Sequence, residues 1–244
     1  KALRNCNPKL VAIVHAETST GVKQPLEEIG KLAHDAGALF LVDTVTSLGG
    51  VDVRVDEWGI DAVYSGTQKC ISAPPGLSPV SFNERAIEVL KNRKTKVQSW
   101  FLDLNLIRSY WGGAKRTYHH TAPVSMVFAL HEALRIIFEE GLEARFARHQ
   151  RLHEKLRDGL EEIGFEFVVD PQFRLPNLNS VKIPPGLEDA AVRSRLLNEY
   201  NIEIGAGLGD FAGKVWRIGL MGSSCTENHI NMLISALKTI MKEK

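Results

Sequence analysis

Cysteine, net charge and long apolar runs are all scarce in this sequence, and each scarcity narrows the class of protein. Three cysteines in 244 residues, far apart and odd in number, argue against a disulfide framework and a cysteine zinc site. No apolar run approaches the length of a membrane span. A formal net charge of +1 gives no strong field to attract nucleic acid or acidic lipid. The composition, 44% hydrophobic and 24% charged, is that of a globular protein with one large or two smaller domains.

Recognisable signals are also missing at the two ends of the chain. It begins at Lys1 without an initiator Met or a signal peptide, and a strand-like run starts as early as Leu10, so we expect a fragment that begins inside a domain. The C-terminal Lys244 does not end a peroxisomal Ser-Lys-Leu signal. The few unpaired cysteines predict an intracellular, reducing compartment, and the cytoplasm, the peroxisome and the mitochondrion all fit that description.

The first part of the chain alternates strands with helices in the order of an open parallel sheet. Its predicted strands are short apolar runs, at residues 10–14, 38–43, 62–64 and 78–82. Between the first two, Pro25 favours the start of a helix and Gly37 its end, so a right-handed strand–helix–strand crossover is expected. Pro79 restricts the fourth strand to an edge or to antiparallel pairing.

The rest of the chain predicts long helices followed by a smaller α+β unit. Aromatic and turn residues predict an irregular loop at 97–121, and helical spacing follows on both sides of Gly141. We therefore predict a large domain over residues 1–140 and a small C-terminal domain over residues 141–244. The further predicted strands are 165–169, 178–183, 202–204 and 215–218, with helices over 192–200 and after Thr226. The predicted fold class is α/β, a mainly parallel sheet flanked by helices plus a smaller α+β domain.

Polar residues follow three of the predicted strands, at the sheet edge where ligands of open parallel sheets bind. Residues 15–18 follow the first strand, Asp43 ends the second, and Lys69 follows the third on a turn closed by prolines. A desolvated lysine can form a Schiff base, although a lone lysine is more often an ordinary surface residue. A carboxylate such as Asp43 suits the protonated ring nitrogen of pyridoxal phosphate. A helix N-cap or an ion pair with Lys69 are the alternatives for Asp43.

Six motifs in order along the chain resemble the alanine–glyoxylate and serine–pyruvate aminotransferases, which are class V, fold type I pyridoxal phosphate enzymes. The motifs are DTVTSLGG at 43–50, YSGTQK at 64–69, APPG at 73–76, YHHT at 118–121, GAGLG at 205–209 and RIG at 217–219. The resemblance implies transfer of an amino group from alanine or serine to glyoxylate or pyruvate through a Lys69 Schiff base. It also implies that the part of the family preceding Lys1, with a phosphate loop and a ring-stacking aromatic residue, is missing.

The resemblance implies a cofactor site for pyridoxal 5'-phosphate. Lys69 would bind the cofactor and move the proton between the substrate Cα and the cofactor C4′. Asp43 would bind the pyridine nitrogen, and Val45 would pack on one face of the ring. Thr18 would hydrogen-bond near the ring hydroxyl, and Gln68 would help to hold the phosphate.

The resemblance also implies a homodimer with shared active sites and small amino-acid and keto-acid substrates. Tyr118 and Thr121 would reach the cofactor phosphate in the neighbouring subunit. Arg217 would bind the substrate carboxylate with its guanidinium fork, whereas a structural ion pair is the alternative for an arginine in a strand.

Two other functions remain open from the sequence. One is a different class V reaction, of the cysteine desulfurase or kynureninase type, for which Cys70 beside Lys69 is the nearby candidate thiol. The other is a non-catalytic truncated form that acts only in oligomerisation, which the abrupt start of the chain favours.

No metal site is predicted. His119 and His120 are adjacent, so their side chains are expected to point in different directions, and a third ligand is lacking. His149 and His153 are spaced as a helical metal pair. Arginines beside them predict a solvated basic face instead.

Overall fold

The computed structural model of the protein describes residues 2–112 and 117–243, and its described part contains nine strands and eight helices. The strands are β1 (Leu10–Val14), β2 (Ala16–Glu17), β3 (Val22–Lys23), β4 (Leu39–Asp43), β5 (Ala62–Tyr64), β6 (Val80–Phe82), β7 (Leu178–Lys182), β8 (Gly205–Ala206) and β9 (Val215–Gly219). The helices are α1 (Ala2–Cys6), α2 (Glu27–Asp35), α3 (Glu84–Lys91), α4 (Leu104–Gly112), α5 (Val124–Glu140), α6 (Leu142–Glu162), α7 (Asp189–Tyr200) and α8 (Glu227–Lys242). Within these ranges, no helix is both long enough and apolar enough to cross a membrane.

A four-stranded sheet in the order β1-β4-β5-β6 carries the first half of the chain. β1, β4 and β5 are parallel, and β6 is an antiparallel edge strand. This confirms the prediction that Pro79 restricts the fourth strand to an edge or to antiparallel pairing. In the register of the sheet Val14 pairs with Asp43, and Asp43 pairs with Tyr64. Because the three parallel strands end in register, the residues that follow them meet at one edge of the sheet.

The helix α2 covers one face of this sheet. The buried Asp61, which directly precedes β5, connects the strands at the edge where they begin. The apolar cluster under α2 includes Leu26, Phe40 and Val42. The buried Asp61 carboxylate accepts hydrogen bonds from the Phe40 N–H at 2.8 Å and from Asn83 Nδ2 at 2.7 Å. Burial alone would raise the pKa of Asp61, but these hydrogen bonds and nearby cations hold it below its ordinary value. The carboxylate thereby fixes β4, β5 and the start of α3 relative to one another.

The second half builds an antiparallel sheet in the order β7-β9-β8, packed against α6, α7 and α8. Trp216, Leu156 and Leu237 are fully buried in this cluster. Burial of so much apolar side chain is the main stabilising term for this unit. α5 and α6 are separated at Gly141, whose φ of +81° favours glycine. The division into residues 1–140 and 141–244 stays a prediction.

Three predictions of secondary structure are wrong in detail. α4 lies inside the segment 97–121 that was predicted to be irregular, because the Asp103 carboxylate accepts the Asn105 N–H at 2.9 Å and begins a helix there. Residues 113–116 of that segment lie outside the described residues. Residues 165–169 form only one isolated bridge, from Phe167 to Val181. Residues 202–204 do not form a strand, because Asn201 takes a left-handed φ of +55° to end α7, and pairing begins only at β8.

Candidate active site

Asp43 ends β4 with both carboxylate oxygens hydrogen-bonded. Oδ1 accepts the Val45 N–H at 2.8 Å, and Oδ2 accepts the Tyr64 hydroxyl at 2.7 Å. The Tyr64 bond follows from the register of β4 and β5, which places the two residues opposite each other. The hydrogen bond to Asp43, and burial to a smaller extent, raise the pKa of Tyr64 above its ordinary value. A cavity of about 180 Å³ opens beside Asp43 and Tyr64, so the carboxylate remains accessible to a third donor.

Lys69 lies on a turn whose backbone is held by hydrogen bonds. The Ser72 N–H donates to the Lys69 carbonyl at 3.0 Å, and the Ala73 N–H donates to the Thr67 carbonyl at 3.0 Å. Ser72 has a φ of +66°, a strained value for a residue other than glycine, and its Oγ accepts the Ser223 N–H at 2.8 Å. Within the described parts of the chain, the partly buried Lys69 amine has no hydrogen-bond or ion-pair partner. The turn therefore holds an available amine, and the alternative of an Asp43–Lys69 ion pair is wrong.

Arg217 on β9 reaches from the second half of the chain to the turn between β2 and β3. Its Nε donates to the Ala206 carbonyl at 2.7 Å, and its Nη1 donates to the Thr18 carbonyl at 3.0 Å. The alternative of a structural ion pair is wrong, since the described residues provide it with carbonyl partners and no carboxylate. A Cβ on Gly205 would lie 3.3 Å from Nη2, so glycine leaves room for the guanidinium. The structure thus brings Arg217 and Thr18 together, with Nη2 still able to bind a ligand.

The remaining predicted site residues, Tyr118, Thr121 and Gln68, make local contacts within the described parts of the chain. The Tyr118 hydroxyl and Thr121 Oγ1 are 2.7 Å apart, and Tyr118 is 69% exposed. Within one subunit, no described hydrogen bond joins either of them to Asp43 or Lys69. The exposed Gln68 side chain folds over Gly66, where a Cβ would lie 2.6 Å from Gln68 Oε1.

The adjacent histidines do not diverge as predicted. His119 is buried and stacked on Trp100, and its Nδ1 lies 2.7 Å from Nδ1 of His120. These two nitrogens are therefore occupied with each other. Among the described residues, no group of three or more His, Cys, Asp or Glu side chains could hold a metal ion.

The predicted solvated basic face on α6 is wrong. His149 is fully buried, its Nδ1–H donates to the Arg145 carbonyl at 2.8 Å, and its Nε2 accepts the Gly222 N–H at 3.0 Å. Burial lowers the pKa of His149 to about 4 and also lowers that of His153. The sequence does contain a signal for the burial of His149, because His149, Leu152 and Leu156 recur at helical spacing on one face of α6.

Cys70 cannot serve as a mobile thiol. Its side chain is fully buried, Sγ donates to the Thr46 carbonyl at 3.6 Å and accepts from Asn177 Nδ2 at 3.0 Å. Burial raises the pKa of the Cys70 thiol to about 11. Thiolate chemistry needs the opposite environment, so this cysteine packs behind the Lys69 turn instead of facing a substrate.

The carboxylate and the amine at this edge of the sheet have the chemistry that pyridoxal phosphate needs. A carboxylate with accessible lone pairs suits the protonated ring nitrogen, and an unpartnered amine on a fixed turn suits the aldehyde. Asp43 ends one parallel strand and Lys69 lies on the turn that follows its neighbour β5, so both belong to the same edge of the sheet. Tyr64, to which the sequence motifs assign no role, joins them through its register with Asp43.

Comparison with known proteins places the chain in a family. The aminotransferase class-V family profile matches residues 1–219. The chain is 38% identical to the (S)-ureidoglycine–glyoxylate transaminase of Bacillus subtilis and 41% identical to the rabbit (Oryctolagus cuniculus) alanine–glyoxylate aminotransferase, covering 99% of this chain and 62% of each relative. A crystal structure of the alanine–glyoxylate aminotransferase from Nostoc sp. superimposes with a TM-score of 0.95 at 51% identity, over 98% of this chain and 63% of that one.

The fold is that of the fold type I pyridoxal phosphate transferases, as predicted. The chain belongs to the class V aminotransferase family. It spans about 62% of the length of the curated relatives described above.

Proposed function

We propose that the protein is a pyridoxal phosphate-dependent aminotransferase that moves the amino group of a small amino acid to glyoxylate. The observation that carries this proposal is the unpartnered Lys69 amine on a fixed turn, at the sheet edge where Asp43 ends the neighbouring strand. Two relatives with different amino donors in their names, ureidoglycine and alanine, share glyoxylate as the named acceptor. Alanine or serine as donor would give pyruvate or hydroxypyruvate, and glyoxylate would become glycine.

The chain's own residues divide the chemistry between them. When bound, pyridoxal phosphate supplies an aldehyde that condenses with amines and a ring that accepts electron density from the substrate Cα. Lys69 would hold the group at its aldehyde carbon and would carry the proton between the substrate Cα and C4′. Asp43 would keep the proton on the ring nitrogen, and the Tyr64 hydroxyl and the Val45 N–H hold its carboxylate in place.

The other predicted residues hold the cofactor and the substrate. Val45, fixed through its N–H to Asp43, would pack on one face of the ring. Thr18 would contact the ring hydroxyl, and Gln68 would help to hold the phosphate. Arg217 binds the substrate carboxylate, with its orientation set by two backbone carbonyls.

A second copy of the chain completes the site in this proposal. Tyr118 and Thr121 present paired, exposed hydroxyls, and no described hydrogen bond joins them to Asp43 or Lys69 in their own subunit. Phe128 of α5 and Trp111 of α4, 72% and 75% exposed, lie on the helices that flank these two residues. Apolar exposure of this kind is typical of an interface, so we infer a homodimer in which these hydroxyls reach the partner's cofactor phosphate.

Replacement of Lys69 by Ala tests the proposal. Titration of the parent protein with pyridoxal phosphate should produce a visible absorbance band, and alanine with glyoxylate should yield glycine. Lys69→Ala should lose the band and at least about 10³-fold of turnover, because the same amine binds the cofactor and moves the proton. Lys31→Ala is the matched control, since Lys31 is exposed and, among the described residues, forms its ion pair with Glu27 on its own helix.

Retention of normal turnover by Lys69→Ala would refute the proposal. A parent protein that binds no pyridoxal phosphate would favour the non-catalytic form instead. Release of sulfide from cysteine would favour a desulfurase, which the burial of Cys70 argues against.

A further inference from the structure

Two buried side chains of the second half reach both loops that carry the proposed cofactor groups. The first is Arg145 on α6, which is 1% exposed. Its Nε donates to the Gly49 carbonyl at 2.8 Å, in the loop after Asp43, and its Nη2 donates to the Cys70 carbonyl at 2.6 Å, next to Lys69. The third branch, Nη1, donates to Glu140 Oε2 at 2.6 Å, which supplies the counter-charge that a buried arginine needs.

The second side chain is Asn177, which is fully buried before β7. Its Nδ2 donates to the Thr46 carbonyl at 2.5 Å and to Cys70 Sγ at 3.0 Å. The packing around Asn177 leaves no space for a side chain on Gly50, whose Cβ would lie 2.8 Å from Asn177 Nδ2 and 2.5 Å from Cys70 Sγ. Arg145 and Asn177 therefore each bridge the same two loops, from two different elements.

The bridges act where the sheet no longer holds the loops together. Up to the strand ends the loops are joined by the Thr44 N–H bond to the Tyr64 carbonyl and by Ser65 Oγ bonding the Thr44 carbonyl. Beyond Ser65 the backbone ladder has ended. Leu48 packs against the apolar cluster of Ile71 and Ala73, and the hydrogen bonds described between the Lys69 turn and the 46–50 loop run through Arg145, Asn177 and the Cys70 thiol.

We propose that Arg145 and Asn177 are positioning residues that fix the Lys69 amine relative to the Asp43 carboxylate and so set the geometry in which cofactor binds. Neither touches the reacting atoms. A planar fork with three separate acceptors holds two carbonyls at a fixed spacing, which the single ammonium of lysine cannot reproduce. This inference rests on the proposed function, because it assigns the residues to that same site.

Arg145→Lys tests the inference, with Asn177→Ala as the second variant should the first fail to fold. Two arginines serve as matched controls with the same substitution. Arg148→Lys changes a residue whose described bonds go to Glu140 and to the carbonyls of Gly222 and Cys225, and to neither loop. Arg135→Lys changes an exposed residue whose described partners, Glu132 and Glu139, lie on its own helix.

The first measurement is amide hydrogen exchange without cofactor, which needs no activity. Exchange should accelerate at residues 46–50 and 69–72 together in Arg145→Lys and in Asn177→Ala, and in neither loop in the controls. The second is equilibrium binding of pyridoxal phosphate, which should weaken about 10- to 100-fold, with a shifted pH midpoint of the visible band. Turnover should lose more in kcat than in KM for the donor, since Arg217 is untouched.

The outcomes separate the two proposals. Unchanged exchange in both loops would overturn the positioning role. The same conclusion would follow if the variant had a lowered unfolding midpoint but a cofactor affinity within about twofold of the parent and an unchanged pH midpoint, and Arg145 would then be purely structural. A parent protein without cofactor binding would refute the proposed function and, with it, the assignment of these bridges to a cofactor site, whatever the exchange data show.

Discussion

Arg217→Lys is the sharpest test of how the protein would recognise its substrates. The guanidinium is held by the Ala206 carbonyl at 2.7 Å and the Thr18 carbonyl at 3.0 Å, so its free N–H groups present a fixed fork. A lysine at this position keeps the positive charge but has one ammonium to share among the two carbonyls and the ligand. The substitution therefore removes the planar arrangement of N–H groups and keeps the positive charge.

The size of the effect follows from the hydrogen bonds lost. A bond between charged partners contributes about 1.5–3 kcal/mol, and a carboxylate bound by two guanidinium N–H groups would lose about one of them in the lysine variant. Since about 1.4 kcal/mol corresponds to a factor of ten, kcat/KM for alanine and for glyoxylate should fall roughly 10- to 150-fold. Most of the loss should lie in KM, because the proposed proton transfer at Lys69 would not involve Arg217.

The assay compares donors with and without a carboxylate. Single-turnover reaction of the cofactor-loaded enzyme with alanine should slow at low concentration in Arg217→Lys, whereas reaction with ethylamine should match the parent. Arg193→Lys is the control, because Arg193 pairs with Asp189 one turn away on α7. An unchanged KM, or an equal loss with ethylamine, would refute the role of Arg217 as the carboxylate clamp.

Two further predictions concern buried and partnered titratable groups. His149 has a pKa of about 4 when folded and about 6.5 when unfolded, so the unfolded state binds more protons between these values, and the free energy of unfolding should fall as pH drops through that window. Urea titrations of His149→Gln should show a flatter pH dependence than the parent, and parallel curves would contradict the burial argument. Asp43→Asn should lower the pKa of Tyr64, since the hydrogen bond to that carboxylate is the main cause that raises it. Tyrosinate absorbance across a pH titration measures this, with Tyr64→Phe identifying the signal, and an unchanged midpoint would show that the bond is not formed in solution.

The central strands could be predicted because their signal is local. The runs at β1, β4 and β5 are apolar, short and bounded by turn residues, and the strand–helix–strand order implies parallel pairing. Parallel pairing in turn brings Asp43 and the Lys69 turn to one edge of the sheet, so the amino-acid sequence alone predicts this pair. The intracellular, reducing compartment stays a prediction.

The contacts that hold the site together could not be predicted in the same way. Arg145 bonds Cys70, which lies 75 positions away in sequence, and Arg217 bonds Thr18 at a separation of 199. Nothing in local periodicity encodes which carbonyl a distant guanidinium meets. The error at His149 has the same origin: its Nε2 accepts the Gly222 N–H, 73 positions away in sequence, and the neighbouring Arg148 donates to the carbonyls of Gly222 and Cys225.

These long-range bonds make the second half of the chain part of the proposed site in two separate ways. Through Arg217 it reaches the turn between β2 and β3, and through Arg145 it bonds the turn of Lys69, so the proposed substrate recognition and amine placement would depend on the same packed unit. The Ser223 N–H bond to Ser72 Oγ adds a third connection, to the same turn. A movement of the second half that displaced Arg217 would therefore also displace the turn that carries Lys69. Variants that loosen the core of α6, α7 and α8 should consequently weaken carboxylate recognition and cofactor affinity together, without a substitution at either contact.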